Sequence, residues 1–399
     1  GKAMKALSFA GSGVEYFKIW IVNILLTIVT LGLYYPWAKV RNRRYFAANS
    51  NLEGRNFEYH ATGKQLFIGY LIAMAIFIVF VIIQNVSPIG SLIVALLFIL
   101  ALPWIIWRSI KFNMRMTSFS NVRFGFDGIL GGAYINYLLL PIVCFLALYG
   151  LPIALAIVIP MLGLQMNALL GIIILVAVIA FIVLAFFLFA FLKKRNTSYA
   201  INGYRYGQGE FSTNVETKKF AMILLKSVGL SILAMIALLV IIAVIAGFTG
   251  IANEILQLKD SLQDPEAMQM ALAGSLGMLI GLVYLGFIIV SLLIVAYLYT
   301  RQRTYIYDNS NLDNKITFAS TLKARPFAWV MITNFIIIIF TLGFGVPWAK
   351  VRMARLILEN SQVNTDHGFD EYLTQKQKQQ SSLGEQIGDA FDVDVGIGF

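Results

Sequence analysis

Long apolar runs alternate with short basic stretches along this chain, and that alternation is its strongest pattern. Six runs, at about Leu66–Gln84, Ile89–Trp107, Tyr134–Pro160, Ala168–Leu192, Phe220–Gly247 and Leu272–Tyr299, are each long enough to form a helix across a hydrocarbon core of roughly 30 Å. Two more apolar helices are predicted at the ends, Phe17–Leu31 and Phe327–Leu342. The pattern predicts an all-α polytopic membrane protein with about eight apolar helices, the six clear spans plus N- and C-terminal helices of open topology. A membrane β-barrel would show short segments of alternating hydrophobicity instead, and none is read here.

One stretch is written twice. Thr30-Leu31-Gly32-Leu33-Tyr34-Tyr35-Pro36-Trp37-Ala38-Lys39-Val40-Arg41 returns 311 residues later as Thr341-Leu342-Gly343-Phe344-Gly345-Val346-Pro347-Trp348-Ala349-Lys350-Val351-Arg352, with nine of twelve positions unchanged. An apolar helix meeting a Trp and then a cationic edge is the signature of a chain leaving a bilayer. The segments that follow repeat as well. Arg41, Tyr45, Asn49, Ser50, Leu52 and Phe57 line up with Arg301, Tyr305, Asn309, Ser310, Leu312 and Phe318, and with Arg352, Leu356, Asn360, Ser361, Val363 and Phe369. Weaker echoes run through Arg108 and Phe112, and through Arg195 and Tyr199. After each basic turn, Asn-Ser or Gly reverses the chain. A short aromatic stretch of strand-like composition follows, such as Phe57-Glu58-Tyr59 or Arg123-Phe124-Gly125-Phe126. The expected organisation is a single membrane domain over residues 1–383 built from internal repeats, with terminal copies near 16–62 and 327–372, and an acidic tail at 384–399.

Charge orients the chain. Segments carrying Lys39 to Lys64, Arg108 to Arg123, Lys193 to Lys219 and Arg301 to Arg325 alternate with turns such as Asn85–Pro88 and Met161–Asn167 that hold no basic residue. The positive-inside rule places the basic segments in the cytoplasm. The terminal helices break the parity. If both span, the two copies of Pro-Trp-Ala-Lys-Val-Arg face opposite compartments; if both lie along or enter the interface without crossing, both copies stay inside.

Composition agrees with the class: 59% of the 399 residues are hydrophobic and 13% charged, against about 25% charged in soluble domains. The formal net charge of +11 is read as a topology signal, and nucleic acid is not an expected partner; membrane lipids, anionic ones included, are. No removable signal peptide is read at the N-terminus. Cys144 is alone, so no disulfide forms within one chain.

The opening Glu15-Tyr16-Phe17-Lys18-Ile19-Trp20, the Pro36–Arg41 motif, the run from Tyr45 to Tyr59 and the ending Gly384 to Asp394 resemble the YjgN family of uncharacterised bacterial inner-membrane proteins. The resemblance implies a bacterial inner membrane and a multi-pass helical fold. It implies no activity, substrate or catalytic residue.

Site chemistry is sparse. None of the six clear spans carries a charge near its centre, which argues against an acid-relay pump. His60 and His367 stand in loops without metal-ligand partners. No nucleophile–base pair or phosphate loop is present, so neither enzyme activity nor a cofactor is expected. Neutral polar residues remain: Asn23, Thr27 and Thr30 share one face of the first helix, and Asn334 and Thr341 hold equivalent places in the last. They serve either helix packing or a polar cavity. Lys39, Arg41, Arg43, Arg44, Arg301, Arg303, Lys350 and Arg352 are the candidate headgroup or anion contacts. Two function classes follow. One is a transporter-like or lipid- and amphiphile-binding membrane protein without proton-relay carboxylates. The other is a structural or assembly protein that holds partners or anionic lipid through its repeated cytoplasmic segments.

Overall fold

The computed structural model describes residues 4–366 and 368–380; the acidic tail expected at 384–399 lies outside the described residues. Helices dominate, but the chain is not all-α. Eleven short strands form one antiparallel sheet: β1 Met4–Ala6, β2 Ser8–Phe9, β3 Ser50–Leu52, β4 Arg55–Tyr59, β5 Thr117–Phe119, β6 Val122–Phe126, β7 Tyr204–Tyr206, β8 Gly209–Thr213, β9 Ser310–Leu312, β10 Ile316–Ser320 and β11 Ser361–Asn364. Sequential strands neighbour one another from β2 through β11. β1 then pairs with β11 while β2 pairs with β3. Both belong to one segment, and Leu7 between them donates its N–H to Ser361 O at 2.9 Å. The sheet thus closes, save for the break at Leu7, into a small barrel. Its tight turns fit: Glu53-Gly54, Ser120-Asn121 and Asp313-Asn314 all have positive φ at both central residues, as type I′ hairpins require.

Every helix leaves the barrel and comes back to a neighbouring strand. α1 Gly13–Val29 and α2 Tyr35–Ala48 link β2 to β3, and α3 Gly63–Val86 and α4 Pro88–Met116 link β4 to β5. Between β6 and β7 run α5 Leu130–Tyr134, a π-helical turn Ile135–Leu139, α6 Leu140–Met161 and α7 Ala168–Gly203. Pro141 has no N–H to give the preceding turn, and the helix widens just before it, with Leu140 N–H donating to Ile135 O. Between β8 and β9 run α8 Thr217–Thr249, α9 Ile251–Ser261, α10 Pro265–Ala273 and α11 Ser275–Asp308. α12 Ala324–Phe340 and α13 Val346–Glu359 link β10 to β11.

Among the described residues six helices, not about eight, are long and apolar enough to cross a membrane: Gly63–Val86, Pro88–Met116, Leu130–Met161, Ala168–Gly203, Thr217–Thr249 and Ser275–Asp308. The terminal helices α1 and α12 have 17 residues each, about 25 Å at 1.5 Å per residue. The twice-written stretch is where each stops and reverses. Leu31 and Gly32 take φ of 55° and 91°, and Leu342 and Gly343 take 54° and 91°. In each copy the glycine N–H bonds five residues back, Gly32 to Thr27 O and Gly343 to Ile338 O, a left-handed helix cap. The threonine repeats too: Thr30 Oγ1 accepts from Tyr34 N–H, and Thr341 Oγ1 from Gly345 N–H. Pro36 and Pro347 then sit in the first turn of α2 and α13, where their missing N–H costs nothing. The motif is therefore a turn between two helices, not an exit from one.

The chain divides into two compact units, the first covering 1–221, 303–322 and 337 onward, the second 222–302 and 323–336. The first holds the whole barrel. In it, each Trp of the repeated motif lies over a glycine that opens another helix. A Cβ at Gly63 would stand 2.2 Å from Trp37, and one at Gly13 would stand 2.0 Å from Trp348. The second unit is helical. There Gly286 admits Leu238, a Cβ would meet nothing within 4 Å at Gly281, and Tyr299 stacks on Phe327 at 4.8 Å.

Overpacking a close contact costs about 1–3 kcal/mol. Gly13→Ala and Gly63→Ala should each lower the thermal midpoint in detergent. Gly150→Ala, with open space around it, should leave it unchanged, and equal effects at all three would exclude the tryptophan contacts as the cause.

Candidate functional site

Nine of the eleven strands, β3 to β11, supply the ring of the barrel interior. Leu52, Phe57, Phe119, Phe124, Tyr206, Phe211, Leu312, Phe318 and Val363 ring it, and Leu7 completes the ring from the closing segment. Phe57 faces Phe119 across a strand pair, and Phe124 faces Tyr206. Wide barrels need more than their own side chains to fill them, and here a C-terminal helix over 369–380 does so from the turn end. Its Phe369, Tyr372 and Leu373 join the apolar core. A cavity of about 90 Å³ remains, lined by apolar and aromatic residues throughout.

Polar contacts tie this helix to the barrel turns. Asp370 pairs with Arg55 at 2.9 Å, and Gln377 Nε2 donates to Ser120 O at 2.7 Å. Gln380 accepts from Arg123 N–H at 2.7 Å and donates to Asn121 O at 2.9 Å. Asp313 is the centre of the contact: it accepts from Tyr372 at 2.7 Å and lies 3.3 Å from Lys376 Nζ. Burial alone would raise its pKa, but the hydrogen bonds from Glu210 N–H and Tyr372 and the charge of Lys376 hold it below the usual carboxylate range. Burial and the same carboxylate push the Tyr372 hydroxyl far up.

At the other end, where strands meet helices, the ladder turns polar. Arg41, Arg108, Arg195, Arg301 and Arg352 each stand nine residues before the first residue of β3, β5, β7, β9 or β11. Arg41, Arg108, Arg195 and Arg352, with Lys39, Arg43, Arg44, Arg303 and Lys350, thus lie near one end of the sheet, where their helices return to it. The candidate polar face is largely committed to local bonds. Thr27, Thr30 and Thr341 donate to the carbonyls of Asn23, Leu26 and Ile337 on their own helices. Asn334 is buried in α12. Asn23, 3% exposed, pins the first helical turn by donating to Ala38 O at 3.3 Å and Asn42 Oδ1 at 3.0 Å.

The basic candidates separate. Arg44 donates to Ala61 O at 2.6 Å, and Arg303 to Ser361 Oγ at 2.7 Å while its guanidinium lies 4.4 Å from the Tyr307 ring centre. Arg301 is exposed beside Tyr297. Arg41 is exposed, and Arg352 is half-buried. Arg43 and Lys350 come together around an open cavity of about 430 Å³, with Tyr16, Asn42, Phe46, Ala47, Tyr59, Asn113 and Thr117 as its other walls. Arg43 Nη1 donates to Asn113 Oδ1 at 2.6 Å and to Tyr59 OH at 3.2 Å, and Tyr59 OH lies 3.2 Å from the same amide oxygen. Sequence reasoning missed Tyr16, Asn42, Tyr59 and Asn113 as lining residues. Only Asn42 gave a signal, an uncharged residue inside the run Lys39 to Arg44.

Cys144 is buried and free, and His60 bonds to Ser118 Oγ at 2.7 Å. Burial and then Arg123 hold the imidazole pKa below its usual value. His367 lies outside the described residues, and among those described no three His, Cys, Asp or Glu side chains group to hold a metal.

Six long apolar helices with ends gathered on one small barrel define a multi-pass membrane protein. The chain belongs to the family described as "Bacterial protein of unknown function (DUF898)", which matches residues 4–390. It is 30% identical over 363 residues to inner membrane protein YjgN of Salmonella typhimurium, covering 90% of this chain and 88% of that protein. YjgN of Escherichia coli K12 is 30% identical over 362 residues, covering 86% and 85%. The resemblance to YjgN proteins is thus membership, and it places the chain in an inner membrane. No solved structure matches.

A hydrogen bond to a charged group contributes about 1.5–3 kcal/mol. Tyr372→Phe should therefore speed amide exchange over 373–380 by about tenfold or more and leave α3 unchanged. The Asp313 contribution is present above the ordinary carboxylate pKa of about 3.9 and is lost as pH falls below it. Protection there, taken relative to the intrinsic exchange rate at each pH, should fall between pH 5 and 3; protection that does not fall would show a helix held by apolar contacts alone.

Proposed function

We propose that this chain is an amphiphile-binding protein of the bacterial inner membrane that takes its ligand where the apolar helices join the barrel. The observation that carries this is the cavity of about 430 Å³. It lies at the helix end of the barrel and is lined by two cations, Arg43 and Lys350, and by the apolar side chains of Phe46 and Ala47. An amphiphile has those two needs, a charged head to be met and a tail to be kept from water. The helices beside it expose apolar side chains, with Val29 and Leu31 at the tip of the first helical turn 77% and 89% exposed. Such surface fits hydrocarbon.

The barrel itself is not a water path in this reading. Its central ring is apolar, its residual space is about 90 Å³, and apolar constrictions empty of water do not conduct ions. We read it as the element that gathers five helical excursions, three long and two short, as copies of one unit. The five arginines, each nine residues ahead of a strand, support that reading. The excess of basic residues at this end supports reading the barrel as cytoplasmic. Nothing in the site supplies a nucleophile with its base, so binding rather than catalysis is the reading offered.

Protein purified in a mild non-ionic detergent should retain about one amphiphile per chain by native mass spectrometry, and Ala47→Trp, which fills the cavity, should release it. A chain that arrives empty and takes up neither neutral nor anionic lipid on titration would instead favour a structural role.

A further inference from the structure

We infer that the two terminal helical turns are re-entrant: each dips into the bilayer leaflet next to the barrel and returns without crossing, its apolar tip held among the acyl chains of that one leaflet. This rests on the six long helices lying in a bilayer and is independent of the amphiphile reading.

Connectivity sets the first limit. α1 and α2 together join β2 to β3, α12 and α13 together join β10 to β11, and the strands of each pair are bonded to one another. A helical turn that starts and ends on paired strands crosses twice or not at all. The return helices cannot cross. α2 has 14 residues, the exposed cations Arg41 and Arg44 among them, and α13 has 14 with the exposed Lys350. Each is about 21 Å long against a hydrocarbon core of roughly 30 Å, and cations at its middle would face lipid. Both copies of Pro-Trp-Ala-Lys-Val-Arg therefore lie on the barrel's side.

The tips are nevertheless built for hydrocarbon. No charged residue stands from Ile19 to Ala38 or from Pro326 to Ala349. Val29 and Leu31 are matched in the second copy by Phe340 and Leu342, 82% and 89% exposed. Every backbone N–H from Thr30 to Tyr35 and from Thr341 to Val346 donates within its own turn, with the Thr30 and Thr341 hydroxyls taking the two that no carbonyl reaches. Water would satisfy those groups without help; hydrocarbon would not, and a reversal inside a bilayer must bond itself. That accounts for the repeated threonine.

Two measures of depth agree. Lys39 and Lys350 are each the fifth residue of the return helix, about 6 Å from its start. On the neighbouring span, Tyr70 OH donates to Gly32 O at 2.7 Å. Tyr70 stands six residues, about 9 Å, beyond Lys64 on α3, and about 24 Å of that helix continues to Val86. The first tip thus ends well short of the midplane, about 15 Å down. The second meets α1 as the first meets α3: Trp348 packs on Phe17 at 5.3 Å and Phe344 on Trp20 at 6.4 Å, where Trp37 packs on Phe67 at 5.1 Å and Tyr35 on Tyr70 at 5.7 Å.

The test reads depth and side separately. In a Cys144→Ser background, the full chain is reconstituted in bilayers of phosphatidylethanolamine and phosphatidylglycerol. A nitroxide is attached in turn at Val29→Cys, Phe340→Cys, Lys64→Cys and Ile76→Cys, with oxygen and a water-soluble nickel complex as relaxants. Val29 and Phe340 should read deeper than Lys64 and shallower than Ile76, near the middle of α3. In spheroplasts and opened membranes, an impermeant maleimide should reach Asn85→Cys, at the far end of α3, from the face opposite to Lys315→Cys in the turn between β9 and β10. It should reach Val29→Cys and Phe340→Cys from neither face. Reaction of either tip from the Asn85 face would show a crossing and overturn the inference. Nickel exposure at the tips equal to that at Lys64 would place them outside the hydrocarbon, and a depth equal to that of Ile76 would carry them to the midplane; each would overturn it too. Leu33→Cys and Phe344→Cys, also exposed, repeat both measurements if a first variant fails to accumulate.

Discussion

The fold depends on one closure. Strands of two to five residues are too short to hold together as separate hairpins in water. They are stable here because the segment from Met4 to Phe9 bonds at once to β11 and to β3 and closes the sheet save for the break at Leu7. Everything else is hung on that ring. The helices need only enter and leave at adjacent strands, and their basic ends gather at one rim because the ring has one rim that faces them.

Closure also sets what the interior can do. The ring of aromatic and aliphatic residues from β3 to β11 leaves a hole too wide to fill from the strands alone. The C-terminal helix fills it. The apolar middle and the Asp313 cluster at the turn end make a sealed plug, whereas the helix end stays polar and open. Any ligand chemistry is thereby pushed to the helix end, where Arg43 and Lys350 are brought together from opposite ends of the sequence by the packing of α13 against α1.

What could be read from the sequence follows physical scale. The six spans were visible because each is a continuous apolar run far longer than any noise in composition. The barrel was not, although Phe57-Glu58-Tyr59 and Arg123-Phe124-Gly125-Phe126 were noticed as strand-like. One inward residue per strand makes no detectable period, and partners such as Lys5 and Val363 stand at opposite ends of the chain. The terminal helices looked able to span because their composition is that of a span; their shortness showed only once Gly32 and Gly343 were seen to reverse the chain. In the site, Arg43 and Lys350 were legible as cations but not as neighbours. Tyr16 carries no signal of its own in the sequence, and Asn42 only that of an uncharged polar residue among cations.

Because β1 and β2 precede α1 and β11 follows α13, the ring cannot close until the helices α1 to α13 have been made. At about 5–20 residues per second, the opening segment waits roughly 20–70 s for the strand it must bond. The helices α1 to α13 emerge in that interval, so all six candidate spans are made before the ring closes. The segment that closes the ring is among the last to find its place, and without β11 the edge of β10 stays open.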